Sequence, residues 1–197
     1  MKKLIFLLIF SLFSPLVVAF SQQDLVLQLQ KPSNLQGQFS QQRFLNGLTK
    51  PMTTQGDFVL LKNQGLLWQM KKPFENQLRV KADGISQWNG SEWVSSQQLG
   101  QSEQIKLFLG LLSGDVAALS SQFDLQLNGT EKAWQLSLVP NSLLMKQIFD
   151  NIEIRGDLVV KSIEIREKQG DRTLIRFEQI QQDQPLSAFA QSALQKE

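Results

Sequence analysis

The spacing of apolar residues changes from a helical to a strand-like period early in the chain. Residues 21–31 begin with Ser21, a good helix cap, and place Leu25 and Leu29 on one face, which predicts a short amphipathic helix. From residue 35 to residue 93 apolar and polar side chains alternate instead, and this period of two is typical of half-buried strands. The stretch is therefore predicted to be an antiparallel meander with one apolar and one polar face.

Residues that favour tight turns separate the alternating segments. These separators are Gly47, Gly56, Asn63-Gln64-Gly65, Lys72-Pro73, Asp83-Gly84 and Asn89-Gly90. Glycine and asparagine tolerate the backbone angles of tight turns, and proline cannot donate a hydrogen bond to a strand ladder. The separators therefore predict turns between neighbouring strands.

The middle of the chain returns to a helical period. Four apolar residues follow the i, i+3, i+4, i+7 spacing of one helix face: Ile105, Phe108, Leu109 and Leu112. Ser113-Gly114-Asp115 interrupts this helix, and Val116 and Leu119 indicate a second short one.

Strand patterns resume in the last third of the chain. Phe123–Leu127 and Ala133–Val139 are predicted strands joined by a turn at Asn128-Gly129, and the stretch 141–150 is ambiguous, with a helical turn as one reading.

A final hairpin and a terminal helix complete the predicted elements. Leu158–Arg166 and Arg172–Ile180 form the hairpin across Gln169-Gly170. Pro185 then introduces a helix whose Leu186 and Phe189 are expected to dock on the rest of the protein.

The order of elements predicts an α+β fold. One antiparallel sheet must bury one of its faces, and the helices interposed between its strands are the natural candidates to cover that face. A sheet of many strands curls because each strand is twisted. We therefore predict a single sheet curled into an unclosed half-barrel, with helices covering the concave face.

Residues 1–19 have the pattern of an export signal. Lys2 and Lys3 precede an apolar run, and cleavage is expected after Ala19, which leaves residues 20–197 as one domain. An uncleaved membrane anchor is the alternative. It would need about 20 apolar residues to span a bilayer, and serine and proline interrupt this run. An exported, soluble protein is therefore expected.

The composition excludes several classes of function. After loss of the signal the chain has equal numbers of basic and acidic residues, because the signal holds two of the 20 basic residues and none of the 18 acidic ones. Such balance argues against nucleic-acid binding. Without cysteine or histidine the chain lacks a thiol nucleophile, the usual general base and the commonest zinc ligand. Carboxylate pairs remain possible, but the acidic residues are scattered singly. We expect no enzymatic activity, no cofactor and no metal site.

Several short motifs, in order, resemble the LolA family, periplasmic carriers that move lipidated proteins between two bacterial membranes. The motifs are Phe39-x-Gln41, Gly56-Asp57-Phe58, Leu67-Trp68 followed by Met70, Pro73, and Asp83-Gly84 before Trp88. The resemblance is clearest over residues 34–95 and extends more loosely to residue 180. It implies an unclosed antiparallel barrel whose mouth is covered by helices.

The resemblance also implies a lipid-binding cavity and a lid. The cavity would be lined by Phe39, Phe58, Leu60, Leu66, Trp68, Met70, Leu78 and Val80, and the lid would carry Ile105, Phe108, Leu109 and Leu112. Taken alone, such alternating apolar residues are more often a filled core than a ligand cavity, and such a helical face is ordinarily that of a core helix.

Two departures from the family pattern bear on function. Lys62 stands where family members carry an arginine that holds the lid, and Arg43 is a candidate substitute. Lysine lacks the planar fork of arginine, so control of the lid is expected to differ. The chain also ends in Pro185 and a predicted helix instead of the family's valine-bearing terminal strand. These departures indicate a divergent paralogue whose cargo is a lipoprotein or another amphiphile, such as a glycolipid.

Three functions follow as hypotheses. The first is a soluble periplasmic carrier or chaperone that binds acyl chains for transfer from the inner to the outer membrane, with an inner-membrane donor complex, an outer-membrane acceptor and transient membrane contact. The second is a sensor or regulatory module that binds lipid and a membrane signalling partner. The third is a structural envelope-assembly protein whose apolar face is simply core. A monomer is expected.

Overall fold

Eleven strands form one antiparallel sheet in the computed structural model, which describes residues 20–81, 84–95, 110 and 119–195. The first six strands are β1 (Asn34–Phe44), β2 (Met52–Leu61), β3 (Gly65–Lys72), β4 (Asn76–Lys81), β5 (Gly84–Trp88) and β6 (Trp93–Ser95). The other five are β7 (Phe123–Thr130), β8 (Ala133–Pro140), β9 (Phe149–Gly156), β10 (Val160–Glu167) and β11 (Arg172–Gln182).

The strands are ordered β6-β5-β4-β3-β2-β1-β11-β10-β9-β8-β7 across the sheet. Two meanders are thus joined at the centre, where β1 pairs with β11 through partners such as Phe39 and Phe177. Strands β6 and β7 are the edges, so the sheet is not closed. The predicted α+β class and the unclosed single sheet are confirmed.

The sheet curls around a single large core. Buried apolar residues from β5 at one side to β7 at the other belong to one contiguous cluster, including Ile85 and Phe123. Neighbouring strands lie about 4.8 Å apart, so only a curled sheet brings such distant strands to a shared core. The concave face carries this cluster.

Three helices accompany the sheet in the described part of the chain: α1 (Gln22–Leu29), α2 (Leu143–Ile148) and α3 (Ala188–Leu194). Each begins at a serine whose hydroxyl accepts a hydrogen bond from a backbone amide of the first turn. Helix α1 lies on the concave side, where Leu25 and Leu29 join the large core. Helix α3 lies on the convex side, where Leu194 packs with Val59 and Leu67.

The loops lie at two ends of the sheet, which we call the α1 rim and the α2 rim. The α1 rim carries the end of helix α1, the β7–β8 turn and the β9–β10 turn. The α2 rim carries the β1–β2 loop, the β3–β4 turn, helix α2 and the β10–β11 loop.

Two predicted turns are wrong. Gly56 lies inside β2, opposite Phe39 and Met70, instead of separating two strands. Asn128-Gly129 lies inside β7, and the chain turns at residues 131–132, because that register aligns Leu125 and Leu127 with apolar partners on β8.

Other predictions fare differently. The ambiguous stretch 141–150 contains helix α2 and the start of β9, a strand that the pattern did not predict. Strand β10 begins at Val160, two residues later than expected, and leaves Leu158 exposed in the turn. The terminal helix is confirmed. Leu186 and Phe189 pack on the convex face against the buried residues Val59, Leu67 and Leu194 and their neighbours. The predicted turn residue Asp83 lies outside the described residues.

Candidate functional site

Four aromatic rings occupy the centre of the concave face. The rings of Phe39 and Trp68 are stacked, with centroids 3.7 Å apart and planes 23° from parallel. Phe177 contacts both Phe58 and Trp68 edge-on, at centroid distances of 5.1 Å and 6.2 Å. These rings come from β11, β1, β2 and β3, so the centre of the apolar wall is continuous across four strands.

Two glycines make room for the aromatic rings. Gly56 lies between Phe39 and Met70 in the pairing of β1, β2 and β3, and a Cβ built there would lie 1.9 Å from the carbonyl oxygen of Gln69. At Gly37 a Cβ would lie 3.1 Å from the ring of Phe58. Gly56 thus lets the backbones of β2 and β3 approach closely, and it contributes no side chain between Phe39 and Met70.

All eight residues predicted to line the cavity lie on β1 to β4. Seven belong to the concave core or pack against it: Phe39, Phe58, Leu60, Leu66, Trp68, Met70 and Val80. Leu78 pairs with Trp68 across β3 and β4, which places it on the same face. Five of them are buried, whereas Trp68, Met70 and Leu78 keep part of their surface exposed. The partly exposed residues are the accessible part of the apolar wall.

Helix α1 covers the concave wall near the α1 rim. Its Leu25 and Leu29 are buried in the large core. The amide of the Gln28 side chain donates hydrogen bonds to the backbone oxygens of Glu131 and Asp157, in the two turns of that rim. Gln22 donates to the backbone oxygen of Leu125 on the edge strand β7. The helix is thus attached to the sheet by two apolar side chains and a few polar contacts.

Lys62 and Arg43 lie at opposite ends of β1 and are not brought together. The Nζ atom of Lys62 donates to the backbone oxygen of Gln30, 2.5 Å away, at the end of helix α1. Arg43 instead forms ion pairs with Asp171 and Glu167 at the α2 rim, at 3.4 Å and 3.8 Å. Lys62 therefore holds a helix that covers the concave face, and Arg43 fastens the β10–β11 loop. The four predicted lid residues, Ile105, Phe108, Leu109 and Leu112, lie outside the described residues.

The sequence analysis missed the contribution of the second meander to the wall. Buried residues of β8 to β11 face the same core: Trp134, Leu136, Leu138, Ile152, Ile154, Ile163, Ile165, Ile175 and Phe177. The alternation of Thr173, Ile175 and Phe177 is a signal that could have assigned these residues of β11 to the apolar face of the sheet. No sequence signal shows that Leu25 and Leu29 cover the concave core, because any amphipathic helix has an apolar face.

A second, smaller cluster lies on the convex face around helix α3. Phe189 contacts Trp88 and Trp93 at centroid distances of 5.6 Å and 6.0 Å, and the guanidinium of Arg79 lies 4.9 Å from the ring of Trp93. Lys81 donates to the backbone oxygen of Gln195 just beyond the helix. Helix α3 thus occupies the apolar surface of the convex face, and this surface binds a segment of the chain itself.

The polar face also carries a groove of about 220 Å³ beside the irregular pairing of β2 and β3. Its lining includes Gln38, Ser40 and Glu178, and an ion pair joins Lys71 to Asp57 at the same place. Charged and amide groups along the groove make it a poor site for an acyl chain, because such groups would lose water without gaining partners.

Two carboxylates with lowered pKa values accept hydrogen bonds that fasten backbone segments, and we call each of these arrangements a clamp. The hydroxyl and the backbone amide of Ser33 donate to Asp183, which holds the pKa of that carboxyl below its ordinary value of 3.8. Ser21 lowers the pKa of Asp24 in the same way at the start of helix α1. Both clamps are structural, since neither carboxylate lies on the concave wall.

Neither metal nor membrane-spanning features are present where the structure can be described. No group of three histidine, cysteine or acidic side chains in residues 20–81, 84–95, 110 and 119–195 could hold a metal ion. Within the same residues no helix is both long and apolar enough to cross a membrane.

Solved structures with similar folds share little sequence with this chain. A crystal structure of MucB matches 91% of this chain at 14% identity with a TM-score of 0.52, and the chain spans 64% of MucB. The MucA/MucB complex from Pseudomonas aeruginosa matches 84% of this chain at 15% identity with a TM-score of 0.50, and the match covers 57% of that chain. A LolA superfamily protein from Nitrosomonas europaea matches 85% of this chain and 96% of its own at 9% identity, with a TM-score of 0.47.

The search of curated protein sequences finds no match. The model of one protein family, described as outer membrane lipoprotein carrier protein LolA, matches residues 30–190. That span includes every strand of the sheet and the concave aromatic wall. The chain therefore belongs to the LolA family.

Proposed function

We propose that the protein is a soluble periplasmic carrier that binds acyl chains on the concave face of its sheet and transfers a lipoprotein or another amphiphile from the inner to the outer membrane. The observation that carries the proposal is the continuous aromatic and aliphatic wall around Trp68, part of which is exposed. Membership of the LolA family and the predicted export signal support the same assignment.

The concave wall can shield an acyl chain from water. Each methylene that leaves water contributes about 0.8 kcal/mol, so a chain of about 16 carbons represents on the order of 12 kcal/mol. Trp68 and Met70 expose apolar surface that such a chain can cover, and the ring of Trp68 is stacked on the buried ring of Phe39. Binding therefore needs no polar group and no chemical reaction.

Release requires that the empty protein also cover its wall. Helix α1 provides part of this cover through Leu25 and Leu29, and it is held at its end by Lys62. When a helix and a cargo compete for the same surface, the loaded and empty states lie within a few kcal/mol of each other. We propose that helix α1 is one of the elements that move during loading.

Lipid analysis of the protein as it leaves the periplasm tests this function. The proposal predicts that mass spectrometry detects an acylated molecule with the wild-type protein and far less of it with the Trp68→Glu variant, which places a carboxylate on the wall. Gln42→Glu is the matched control, because Gln42 already accepts a hydrogen bond from Arg176 on the convex face. Wild-type protein that carries no lipid and acquires none from vesicles would refute the carrier.

A regulatory module is the second candidate. Two of the similar folds are MucB, and one was solved in complex with MucA, so a related sheet is compatible with binding a partner protein. This chain spans less than two thirds of MucB. A stable complex with a membrane signalling protein, recovered by pull-down from detergent extracts, would favour regulation over transport.

A further inference from the structure

Five large apolar side chains are exposed at the α2 rim. Phe74 is 81% exposed in the β3–β4 turn, and Leu143 is 83% exposed in helix α2. Leu48 of the β1–β2 loop, Met52 at the start of β2 and Leu144 of helix α2 are each exposed by more than half. Large apolar side chains exposed in several segments of one rim indicate a surface that is covered during function.

Each of the three loops combines its apolar residues with a lysine. Lys50 lies between Leu48 and Met52, Lys72 lies two residues before Phe74, and Lys146 follows Leu143 and Leu144. All three lysines are exposed, and in the part of the chain that the structure describes none of them forms an ion pair. Glu75 is the acidic residue in these loops, so their balance is positive.

Within the described residues, the other cations of this rim are paired with acidic side chains. Lys168 contacts Asp150, and Arg43 contacts Asp171. The three lysines of the apolar loops are thus the cations that remain available to an outside partner. Apolar side chains that project beside available lysines fit the boundary between anionic headgroups and acyl chains, where lysines are attracted to the negative surface.

The α2 rim is continuous with the concave wall. Strand β3 carries Trp68 and Met70 and leads directly into the turn with Phe74. The β1–β2 loop lies about two strand spacings from that turn, or roughly 10 Å, so the two loops can meet one flat surface together. The opposite rim is occupied by the end of helix α1.

We propose that the α2 rim is the surface by which the protein docks on an anionic lipid bilayer, with Phe74, Leu143 and Leu144 entering the interface and Lys50, Lys72 and Lys146 contacting the headgroups. The inference deepens the proposed carrier function and rests on it, since docking through this rim places the partly exposed wall next to the membrane that gives or receives the acyl chain.

Vesicle sedimentation tests the docking rim. Full-length mature protein is mixed with vesicles of phosphatidylcholine containing about a third phosphatidylglycerol. The double variant Phe74→Ser/Leu143→Ser is expected to bind at least about tenfold more weakly than wild type, because two exposed apolar side chains no longer enter the interface. The double variant Leu27→Ser/Leu158→Ser removes exposed leucines outside this rim and is expected to bind like wild type.

Charge is tested in the same assay. Lys50→Gln/Lys146→Gln is expected to bind several-fold more weakly to the anionic vesicles, whereas Lys31→Gln/Lys132→Gln, which removes exposed lysines from the α1 rim, is expected to have no effect. Pure phosphatidylcholine vesicles should bind the wild-type protein weakly, with little difference between these lysine variants.

The outcomes separate docking from cargo binding. Rim variants that lose vesicle binding but still bind a soluble acyl probe support the inference. If wild-type protein binds the probe but not the anionic vesicles, the docking rim is wrong and the carrier function still stands. If wild-type protein binds neither the vesicles nor the probe, both proposals are wrong. Rim variants that instead abolish a dimer of the wild-type protein, seen by analytical ultracentrifugation, would reassign the rim to self-association.

Discussion

The ring of Trp68 on β3 stacks on the ring of Phe39 on β1, although strand β2 lies between them. At that place β2 contributes Gly56, which has no side chain, opposite Phe39 and Met70. One residue without a side chain thus joins the aromatic residues of three strands into a single wall. The proposed acyl-binding surface depends on this arrangement.

Gly56→Ala is expected to destabilise the protein. A Cβ at this position would lie 1.9 Å from the backbone oxygen of Gln69, which cannot move without disturbing β3. Overpacking of this kind costs roughly 1–3 kcal/mol. Urea unfolding measures the loss. Gln55→Ala, at the exposed neighbouring position, is the control and should change stability by about 0.5 kcal/mol or less. Equal stability of the two variants would contradict the role given to Gly56.

Lys62→Met is expected to loosen helix α1 while leaving the sheet intact. The substitution removes the donor that contacts the backbone oxygen of Gln30, a hydrogen bond with a charged donor that contributes about 1 kcal/mol at an exposed site. Hydrogen exchange of residues 22–30 should become faster, and that of β1 and β11 should not change.

Lys62→Arg tests the same contact in the other direction, because arginine can still donate to the helix end. Its exchange over residues 22–30 should stay close to wild type. Unchanged exchange in Lys62→Met would show that the lysine does not hold the helix.

The sequence predicted the local elements better than their arrangement. Alternation identified the meander from β1 to β5 and placed Leu66, Trp68 and Met70 on one face, which the structure confirms. It did not show that β1 pairs with β11, because the pairing of distant strands depends on long-range packing. The turn predicted at Asn128-Gly129 failed for the same reason: apolar pairing between β7 and β8 decides the register there.

The candidate site was predicted in part. The period of two placed the apolar residues of β1 to β4 on shared faces, and the family resemblance assigned eight of them to a cavity, whereas Phe177 required knowledge of the neighbour of β1. Lys62 was placed at a position of lid control by resemblance, and its actual partner, the end of helix α1, could not be read from spacing because the two are 32 residues apart.

Leu194→Ala is expected to separate stability from binding. Leu194 is completely buried on the convex face, so its truncation should cost about 2–4 kcal/mol in the free energy of unfolding. The concave wall does not contact it, and binding of an acyl probe by the folded variant should therefore equal that of wild type. Reduced probe affinity in folded Leu194→Ala, measured well below its unfolding midpoint, would show that the two faces are coupled.

Asp183→Asn is expected to change the acid stability of the protein. The lowered pKa of Asp183 means that its contribution to stability is fully present above the ordinary value of 3.8 and is lost as the pH falls through the lower folded-state pKa. The variant should melt at a lower temperature than wild type at pH 7, and the difference should shrink as the pH falls below 3.8. Thermal unfolding monitored by circular dichroism measures both. A difference that grows towards low pH would contradict the clamp on Ser33.

Titration of the purified, delipidated protein with a fluorescent fatty-acyl probe tests the central claim most directly. Wild-type protein and Gln42→Glu should bind the probe reversibly and alike, while Trp68→Glu should remain folded and lose at least about tenfold in affinity, because its carboxylate would be buried by the bound chain. Equal affinity of Trp68→Glu and Gln42→Glu, or no binding by wild type, would contradict the concave face as the acyl-binding surface.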